Sequence, residues 1–153
     1  MNIEFPAYEF IWRESGGVRM IRDPLRRRYV TITPEEWVRQ HLLRYLQEAC
    51  RYPASRISVE KKLTLNGMTR RADAVVYDQQ VRPWMVVECK APEVVLNQAV
   101  LDQAAGYNTV LKAPFLAVCN GTDLLLAQVD FVQGERRFLV GWPNWPEAPV
   151  WVK

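Results

Sequence analysis

Two segments of the chain carry the apolar spacing of an α-helix. In the first, ITPEEWVRQHLLRYLQEAC, Thr33 suits the N-cap, Pro34 the first helical position, and Glu36 the closing position of a capping box. The core stripe that follows at helical spacing comprises Val38, Leu42, Tyr45 and Ala49. The pattern therefore predicts a helix from position 33 up to the break at Tyr52-Pro53.

A second helix is predicted within APEVVLNQAVLDQAAGYNTVLKA, starting at positions 92–97 and ending at Pro114. Its predicted stripe includes Gln103 and, one turn on, Tyr107; the full set is Leu96, Ala99, Val100, Gln103, Tyr107 and Val110. Gly106 is expected to let this face approach another backbone closely. A core glutamine bonded to backbone is the ordinary interpretation, and a glutamine and tyrosine that face a substrate are the alternative.

Alternation and turn signals predict three strands between these helices. ISVEKKLTL alternates, and the side chains on one of its faces are Ile57, Val59, Lys61, Leu63 and Leu65. Asn66-Gly67 is a hairpin signal that leads into RRADAVVYD, and DQQVRP leads into WMVVECK. Three strands joined by two tight turns form an antiparallel meander.

Further strands are predicted on both sides of this meander. FLAVCN is wholly apolar, as expected of a central strand covered on both faces, and DLLLAQVD and RRFLVG form a last pair around Gln133-Gly134. EFIW and RRRYVTI predict short strands of a hairpin or lid near the amino end. The tail GWPNWPEAPVWVK is predicted to be extended with its indoles packed on the body; a nucleic-acid-stacking or Pro-rich role is the alternative.

Length and composition indicate one globular domain. The chain has 153 residues, of which 49% are apolar, so residues 1–153 are predicted to form a single domain with one core. It divides into an extension at 1–32, a core at 33–120 and C-terminal strands with the tail at 121–153. No apolar run approaches the ~20 residues of a membrane span, and the start MNIEFPAYEF shows no basic leader, so a cytoplasmic protein is expected.

Cysteine and histidine usage excludes several kinds of site. Cys50, Cys89 and Cys119 show no CxxC spacing, which argues against a disulfide framework or a zinc site. His41 is the one histidine of the chain, so a His-rich metal site cannot be built within it. A Ser-His-Asp or Cys-His site would need His41, which lies in the middle of the first predicted helix.

Charged residues stand at the ends of the two central strands of the meander. Glu88 and Lys90 point to the same face, roughly 6.5–7 Å apart, and the tight turn places Asp73 opposite them. Two carboxylates this close repel each other, and burial adds to the cost. A divalent cation resolves the conflict, and Mg²⁺ prefers one or two carboxylates with water and phosphate oxygens. A solvated ion pair across the strand is the ordinary interpretation.

The ordered set of Asp73, the ECK of 88–90 and the QAAGY of 103–107 resembles the PD-(D/E)XK nuclease superfamily. It is most similar to the N-terminal nuclease domain of type I restriction enzyme R subunits, whose active site carries QxxxY after ExK. The resemblance covers residues 33–120. It implies a restriction-endonuclease-like α/β fold: helix, three-strand antiparallel meander, helix and strand in a mixed sheet, here with extra N- and C-terminal strands.

The resemblance also implies roles for individual residues. Asp73 and Glu88 would bind Mg²⁺ or Mn²⁺, Lys90 would be the catalytic lysine, and Gln103 and Tyr107 would support the site or contact DNA. An additional acid is expected from the first helix or strand, for which the candidates are Glu36, Glu48 and Glu60. Residues expected to hold the DNA backbone are Arg70, Arg71, Arg26, Arg27 and Arg28. Ala72 stands where the superfamily name has proline.

The expected function is a metal-dependent DNA endonuclease that hydrolyses phosphodiester bonds. One alternative is a nucleic-acid-binding module that keeps the fold without cleaving, and another is a scaffold protein in which the charged triad is structural. The chain has no GxxxxGK[ST] phosphate loop, so it is expected to be a free-standing relative or an excised domain that works with a larger restriction or motor partner. Cleavage of two strands needs two sites, which makes a homodimer attractive.

Overall fold

The computed structural model describes residues 1–151, apart from the side chain of Leu65. Val152 and Lys153, the end of the predicted tail, and the predicted facing of Leu65 lie outside the described residues. The elements in chain order are β1 (Trp12–Ser15), β2 (Val18–Asp23), β3 (Arg28–Thr31), α1 (Pro34–Glu48), a 3-10 turn (Ala54–Arg56), β4 (Ile57–Leu65), β5 (Met68–Tyr77), β6 (Pro83–Cys89), α2 (Gln98–Leu111), β7 (Phe115–Cys119), β8 (Leu124–Asp130) and β9 (Glu135–Phe138).

These elements form a mixed α/β structure with two sheets. The larger sheet has the strand order β4-β5-β6-β7-β8-β9, and the smaller has the order β1-β2-β3. Neighbours in the larger sheet are antiparallel except β6 and β7, which run parallel and are connected through α2. The predicted meander and last strand pair are confirmed. Every residue of β7 is buried, as predicted for a central strand.

The two helices cover opposite faces of the larger sheet. Alternate residues of β5 and β6 pack in different apolar layers, because side chains of a strand alternate between faces. The layer under α1 includes Val38, Leu42, Leu46, Val76 and Val87. The layer under α2 includes Leu101, Ala104, Val75, Val86 and Leu116.

The first helix begins where the sequence predicts, but its capping box is half formed. Thr33 Oγ1 accepts a hydrogen bond from the backbone N–H of Glu36 at 3.0 Å. The carboxylate of Glu36 accepts from Arg26, Arg39 and Gln40. The prediction that Glu36 closes the box is therefore wrong, because charged donors from neighbouring residues engage its carboxylate.

The predicted core stripe of the second helix is only half right. Asn97 caps α2 by accepting from the backbone N–H of Val100 at 3.1 Å, within the predicted start. The fully buried residues are Leu101, Ala104 and Asn108. Of the predicted stripe, Leu96, Val100 and Tyr107 are partly buried against the same layer, whereas Ala99, Gln103 and Val110 are exposed. Apolar residues occur around most of this helix, so periodicity alone could not select the buried side. A Cβ added to Gly106 would meet no atom within 4 Å, so the predicted close approach there is also wrong.

The alternation predicted for β4 breaks in mid-strand. Ile57 packs in the layer under α1, but Leu63 packs in the layer under α2, and Lys61 between them is exposed. Glu60 has a φ of 55°, a left-handed conformation that is uncommon for a residue other than glycine. A strand that passes through such a residue changes which face its later side chains occupy, so strict alternation failed here.

The ends of the chain pack on this framework. EFIW is not a strand, because β1 begins only at Trp12, while RRRYVTI contains β3. Residues 141–151 of the tail form neither helix nor strand and include a turn at Trp145-Pro146, so the tail is not extended throughout. Its indoles at Trp142 and Trp145 pack against the layer under α1, as predicted. Trp145 Nε1 donates to the carbonyl of Tyr77 at 2.9 Å.

His41 lies in an aromatic cluster and not in a polar site. Its ring is 3.9 Å from that of Trp37 and 4.8 Å from that of Phe10, measured between centroids. Cys89 and Cys119 are buried, as expected of small apolar residues. Among residues 1–151, no helix combines the length and the apolar character needed to cross a membrane.

Candidate metal centre

The strand register brings the two predicted carboxylates together. Ala74 pairs with Val87 across β5 and β6, so the next residues outward, Asp73 and Glu88, lie opposite each other. Asp73 Oδ2 accepts a hydrogen bond from the backbone N–H of Cys89 at 2.7 Å. This bond fixes the Asp73 carboxylate at the end of β6, beside the ECK segment.

Glu88 is the unsatisfied member of this pair, which we call the carboxylate pair. Its side chain is buried, and its Oε1 has no hydrogen-bond partner among the residues that the structure describes. Burial raises the pKa of Glu88, and the charge of Asp73 raises it further. Burial also raises the pKa of Asp73. A buried polar atom without a partner is rare in folded proteins, so this oxygen points to an added ligand.

Lys90 and an acid that the sequence reasoning missed lie beside the carboxylate pair. Burial raises the pKa of Glu35, the nearby Asp73 raises it further, and Lys90 lowers it. Lys90 likewise opposes the raised pKa values of Asp73 and Glu88. These mutual effects place Glu35, in the first turn of α1, within electrostatic reach of the pair. No local pattern singles out Glu35, because the groups that it faces, Asp73 and Lys90, are distant in the sequence.

A second cluster, the arginine network of Asp23, Arg26, Glu36, Arg39 and Glu60, adjoins the pair. Arg39 donates from Nε to Glu36 Oε2 at 3.0 Å and from Nη1 to Asp73 Oδ1 at 3.2 Å. Arg26 binds Asp23, and it reaches Glu36 at 2.7 Å and Glu60 at 3.2 Å. Arg39 is missing from the sequence predictions because a single arginine on a helix gives no sign that it is buried.

The three acids proposed as additions to the site occupy different positions. Glu60 lies opposite Asp73 in the register, between the pairs Val59–Ala74 and Lys61–Ala72. Its side chain is partly exposed and contacts several arginines, which are Arg26, Arg28, Arg39 and Arg71.

Neither of the other two acids is available at the pair. Glu36 is bound by three donors within the arginine network. Glu48 lies at the far end of α1, exposed, and pairs with Arg44 at 3.5 Å. Glu60 and the missed Glu35 are therefore the acids best placed to assist Asp73 and Glu88.

Gln103 and Tyr107 of the QAAGY segment both lie on α2, but they differ in burial and in their contacts. Tyr107 is partly buried, and its hydroxyl accepts from Arg70 Nη1 at 3.3 Å. The Arg70 guanidinium also stands over the Tyr107 ring, 5.5 Å from its centroid. Gln103 is exposed. The structure thus links Tyr107 to a predicted DNA-binding arginine and leaves Gln103 open to solvent.

The predicted DNA-binding arginines divide into two groups. Arg27, Arg28 and Arg71 are exposed, and Arg28 and Arg71 each lie 3.7 Å from Glu60 at the rim of the site. Arg26 is not exposed as a DNA contact would require, because its side chain is only 10% exposed and is engaged by three carboxylates. A phosphate could not reach it without breaking those pairs.

The donor set fits a divalent cation of the magnesium type. No group of three or more His, Cys, Asp and Glu within residues 1–151 is arranged as a metal cluster. Mg²⁺, however, is commonly bound through one or two carboxylates, with water and phosphate filling the remaining positions. Asp73 and Glu88 supply that number, and Glu88 Oε1 is the oxygen that lacks a partner.

Comparison with known families gives a match over most of the chain. Residues 34–143 match the family described as the type I restriction enzyme R protein N terminus. The chain belongs to this family. The matched segment contains α1, the meander, α2 and every residue of the carboxylate pair, whereas β1, β2 and β3 precede it.

A solved structure has the same fold as this family member. It is a fragment of a candidate HsdR subunit of a type I restriction enzyme from Vibrio vulnificus YJ016, superposing with a TM-score of 0.55 at 22% sequence identity. The alignment covers 74% of this chain and 24% of that chain, so this chain spans about a quarter of the relative. No curated protein matches the sequence significantly.

Proposed function

We propose that this chain is a divalent-metal-dependent DNA nuclease of the PD-(D/E)XK type, with a restriction-endonuclease-like core. The observation that carries the proposal is Oε1 of Glu88, which is buried beside Asp73 and has no hydrogen-bond partner among the described residues, while the nearby charge of Lys90 lowers the pKa of Glu88. Family membership supplies DNA as the substrate class, because the family is named for a restriction enzyme. A DNA substrate also fits a cytoplasmic site of action.

Each residue of the centre has a separate task in this proposal. Asp73 and Glu88 would hold Mg²⁺ or Mn²⁺, and when bound the ion supplies a Lewis acid and an acidified water. Lys90 carries a positive charge that can bind a phosphate oxygen or orient the attacking water. Glu35, whose pKa is raised by burial and by Asp73, can accept the proton that the water loses.

Residues farther out hold the substrate. Arg28 and Arg71 are exposed at the rim beside Glu60 and are placed to bind backbone phosphates. Tyr107 holds Arg70 by a hydrogen bond and by stacking, which orients a third cation. Two-strand cleavage in this proposal requires a homodimer or a larger restriction or motor partner that presents a second site.

The test is cleavage of supercoiled plasmid with and without Mg²⁺. Wild-type protein should nick or linearise the plasmid only with the metal, and Glu88→Gln and Lys90→Met should both lose this activity while remaining folded. Arg82→Gln is the matched control, because Arg82 lies in the turn at the opposite end of β5 and β6 and is 71% exposed. Metal-independent cleavage, or full activity in Glu88→Gln, would refute the proposal.

A DNA-binding module without cleavage is the second candidate. One observation favours it: both oxygens of Asp73 already accept hydrogen bonds, from Arg39 and from the backbone of Cys89. If these bonds prevent Asp73 from binding a cation, the chain would bind DNA in a gel-shift assay and leave the plasmid intact with every divalent metal tried.

A further inference from the structure

The basic character of the chain is concentrated in the smaller sheet. Residues 11–31 contain six arginines and two acids, a net charge of +4, while the whole chain carries +3. The rest of the chain is therefore slightly acidic, at −1. One acid of this segment, Asp23, is engaged by Arg26 inside the arginine network, so the exposed part of the sheet keeps the excess of positive charge.

The strand register separates the two faces of this sheet. Ile21 pairs with Val30, and both are buried, so the face that they share packs on the rest of the protein. The opposite, outer face alternates with it and carries no acidic residue. Its members are Arg13, Ser15, Val18, Met20, Arg22, Tyr29 and Thr31.

The arginines of the outer face are held by an aromatic ring. The guanidinium of Arg13 lies 4.0 Å from the centroid of Tyr29, and that of Arg22 lies 5.8 Å from the same centroid. Neither has a carboxylate within ion-pair distance in the described part of the chain. Cations ordered by stacking and left without acid partners are preorganised for anions.

The sheet is fixed next to the candidate metal centre. Arg26, between β2 and β3, binds Glu36 of α1 and Glu60 of β4 at 2.7 and 3.2 Å. Arg28, the first residue of β3, reaches Glu60 at the rim. An extended polyanion that contacts the rim arginines would thus have the smaller sheet beside its path.

We propose that the outer face of the β1–β3 sheet is a DNA-backbone-binding surface, built on Arg13, Arg22 and Tyr29, that adjoins the metal centre. This inference rests on the proposed function only for the identity of the partner, DNA, and it does not require that the protein cleave DNA. The surface precedes the segment matched by the family, so the family match itself assigns it no role. Its charge and lack of acids favour the phosphate backbone over base-specific contacts.

The test is binding of a fluorescent DNA duplex of about 20 base pairs by anisotropy, in EDTA so that metal-dependent chemistry is absent. Arg13→Gln/Arg22→Gln should weaken binding about tenfold at low salt and flatten the log–log salt slope by roughly two units. The control is Arg51→Gln/Lys112→Gln, which removes the same charge from exposed positions that follow α1 and α2 and should bind like wild type. Melting temperatures of all three proteins verify folding.

Each remaining outcome decides the question. Equal loss of affinity in the control would show a response to net charge alone and would overturn the proposal, as would wild-type affinity and slope in Arg13→Gln/Arg22→Gln. If that double variant does not fold, Arg13→Gln alone should still flatten the slope by about one unit, and an unchanged slope overturns the proposal.

Tighter binding to anionic phospholipid vesicles than to DNA, lost in the same variants, would assign the face to a membrane surface instead. Binding without plasmid cleavage would leave this surface standing while the nuclease proposal fails.

Discussion

Two buried clusters of charge meet at Asp73, and they differ in how their charges are satisfied. In the arginine network, burial opposes ionisation of Glu36, but hydrogen bonds from Arg39 and Arg26 hold its pKa below the ordinary value. In the carboxylate pair, burial and a neighbouring acid raise the pKa of Glu88, and one of its oxygens has no hydrogen-bond partner within the described part of the chain. Burial of an acid is common to both, so only the missing partner distinguishes a ligand site from a structural ion pair.

Arg39 connects the two clusters, so a substitution of Arg39 is the most direct way to test how they differ. Arg39 binds Glu36 with two nitrogens and reaches Asp73 with a third. The arginine network therefore holds Asp73 in place through Arg39, but it donates no hydrogen bond to Glu88 within the described residues. If this account is right, substitutions in the network should act mainly on stability, and substitutions in the pair should act mainly on ligand binding.

The largest expected effect is on stability, for Arg39→Met. Removing one partner of a buried ion pair leaves the other charge uncompensated, which typically costs about 3–5 kcal/mol. Urea unfolding of the metal-free protein measures the change. The matched control is Arg82→Met, which breaks an exposed pair with Asp78 and should cost about 0–1 kcal/mol. Equal costs for the two variants would show that the network is not a structural element.

The next largest effect is a difference between Glu36 and Glu88 in how each acid makes stability depend on pH, because their pKa values are shifted in opposite directions. A carboxyl with a lowered folded pKa stabilises the fold above its unfolded pKa, and this contribution is lost as pH falls. A carboxyl with a raised folded pKa binds more protons when folded, so its contribution diminishes as pH rises through the window between the two pKa values. Glu36 is of the first kind and Glu88 of the second.

The measurement is the unfolding free energy of Glu36→Gln and Glu88→Gln, without metal, between about pH 5 and 8. Relative to wild type, Glu88→Gln should gain stability as pH rises, by on the order of 1 kcal/mol for each unit of pKa shift removed. Glu36→Gln should be less stable than wild type by a nearly constant amount over this range, because the pKa of Glu36 is lowered from its ordinary value and its contribution is lost only at more acid pH. Parallel curves for the two variants would mean that the clusters do not differ as described.

The smallest expected effect on stability is at Gln103. Its side chain is exposed, so Gln103→Ala should change the unfolding free energy by no more than about 0.5 kcal/mol. Loss of plasmid cleavage in this stable variant could then be assigned to substrate or site contacts. Tyr107→Phe is the comparison, because it removes the hydrogen bond to Arg70 and should cost about 0.5–1.5 kcal/mol. Full activity in both variants would remove the QAAGY helix from the site.

The sequence predicted the backbone better than the side-chain environment. The meander, both helices and the covered central strand followed from local patterns, because turns, caps and apolar runs are short-range signals. Half of the α2 stripe was wrong because apolar residues surround this helix, and the alternation of β4 failed because Glu60 takes a left-handed conformation. The contacts of Arg26 with Glu36 and of Arg39 with Asp73 join residues 10 and 34 positions apart, and no local pattern encodes them. Glu35 was missed for the same reason.

The central claim is that Asp73 and Glu88 form a divalent-cation site, and Mn²⁺ titration followed by electron paramagnetic resonance tests it without any substrate. Wild-type protein should bind one ion per chain. Glu88→Gln, folded to the same extent, should lose this binding, whereas Glu48→Gln, which removes an exposed acid at the far end of α1, should retain it. Equal Mn²⁺ binding by wild type and Glu88→Gln, or none by wild type, would contradict the account.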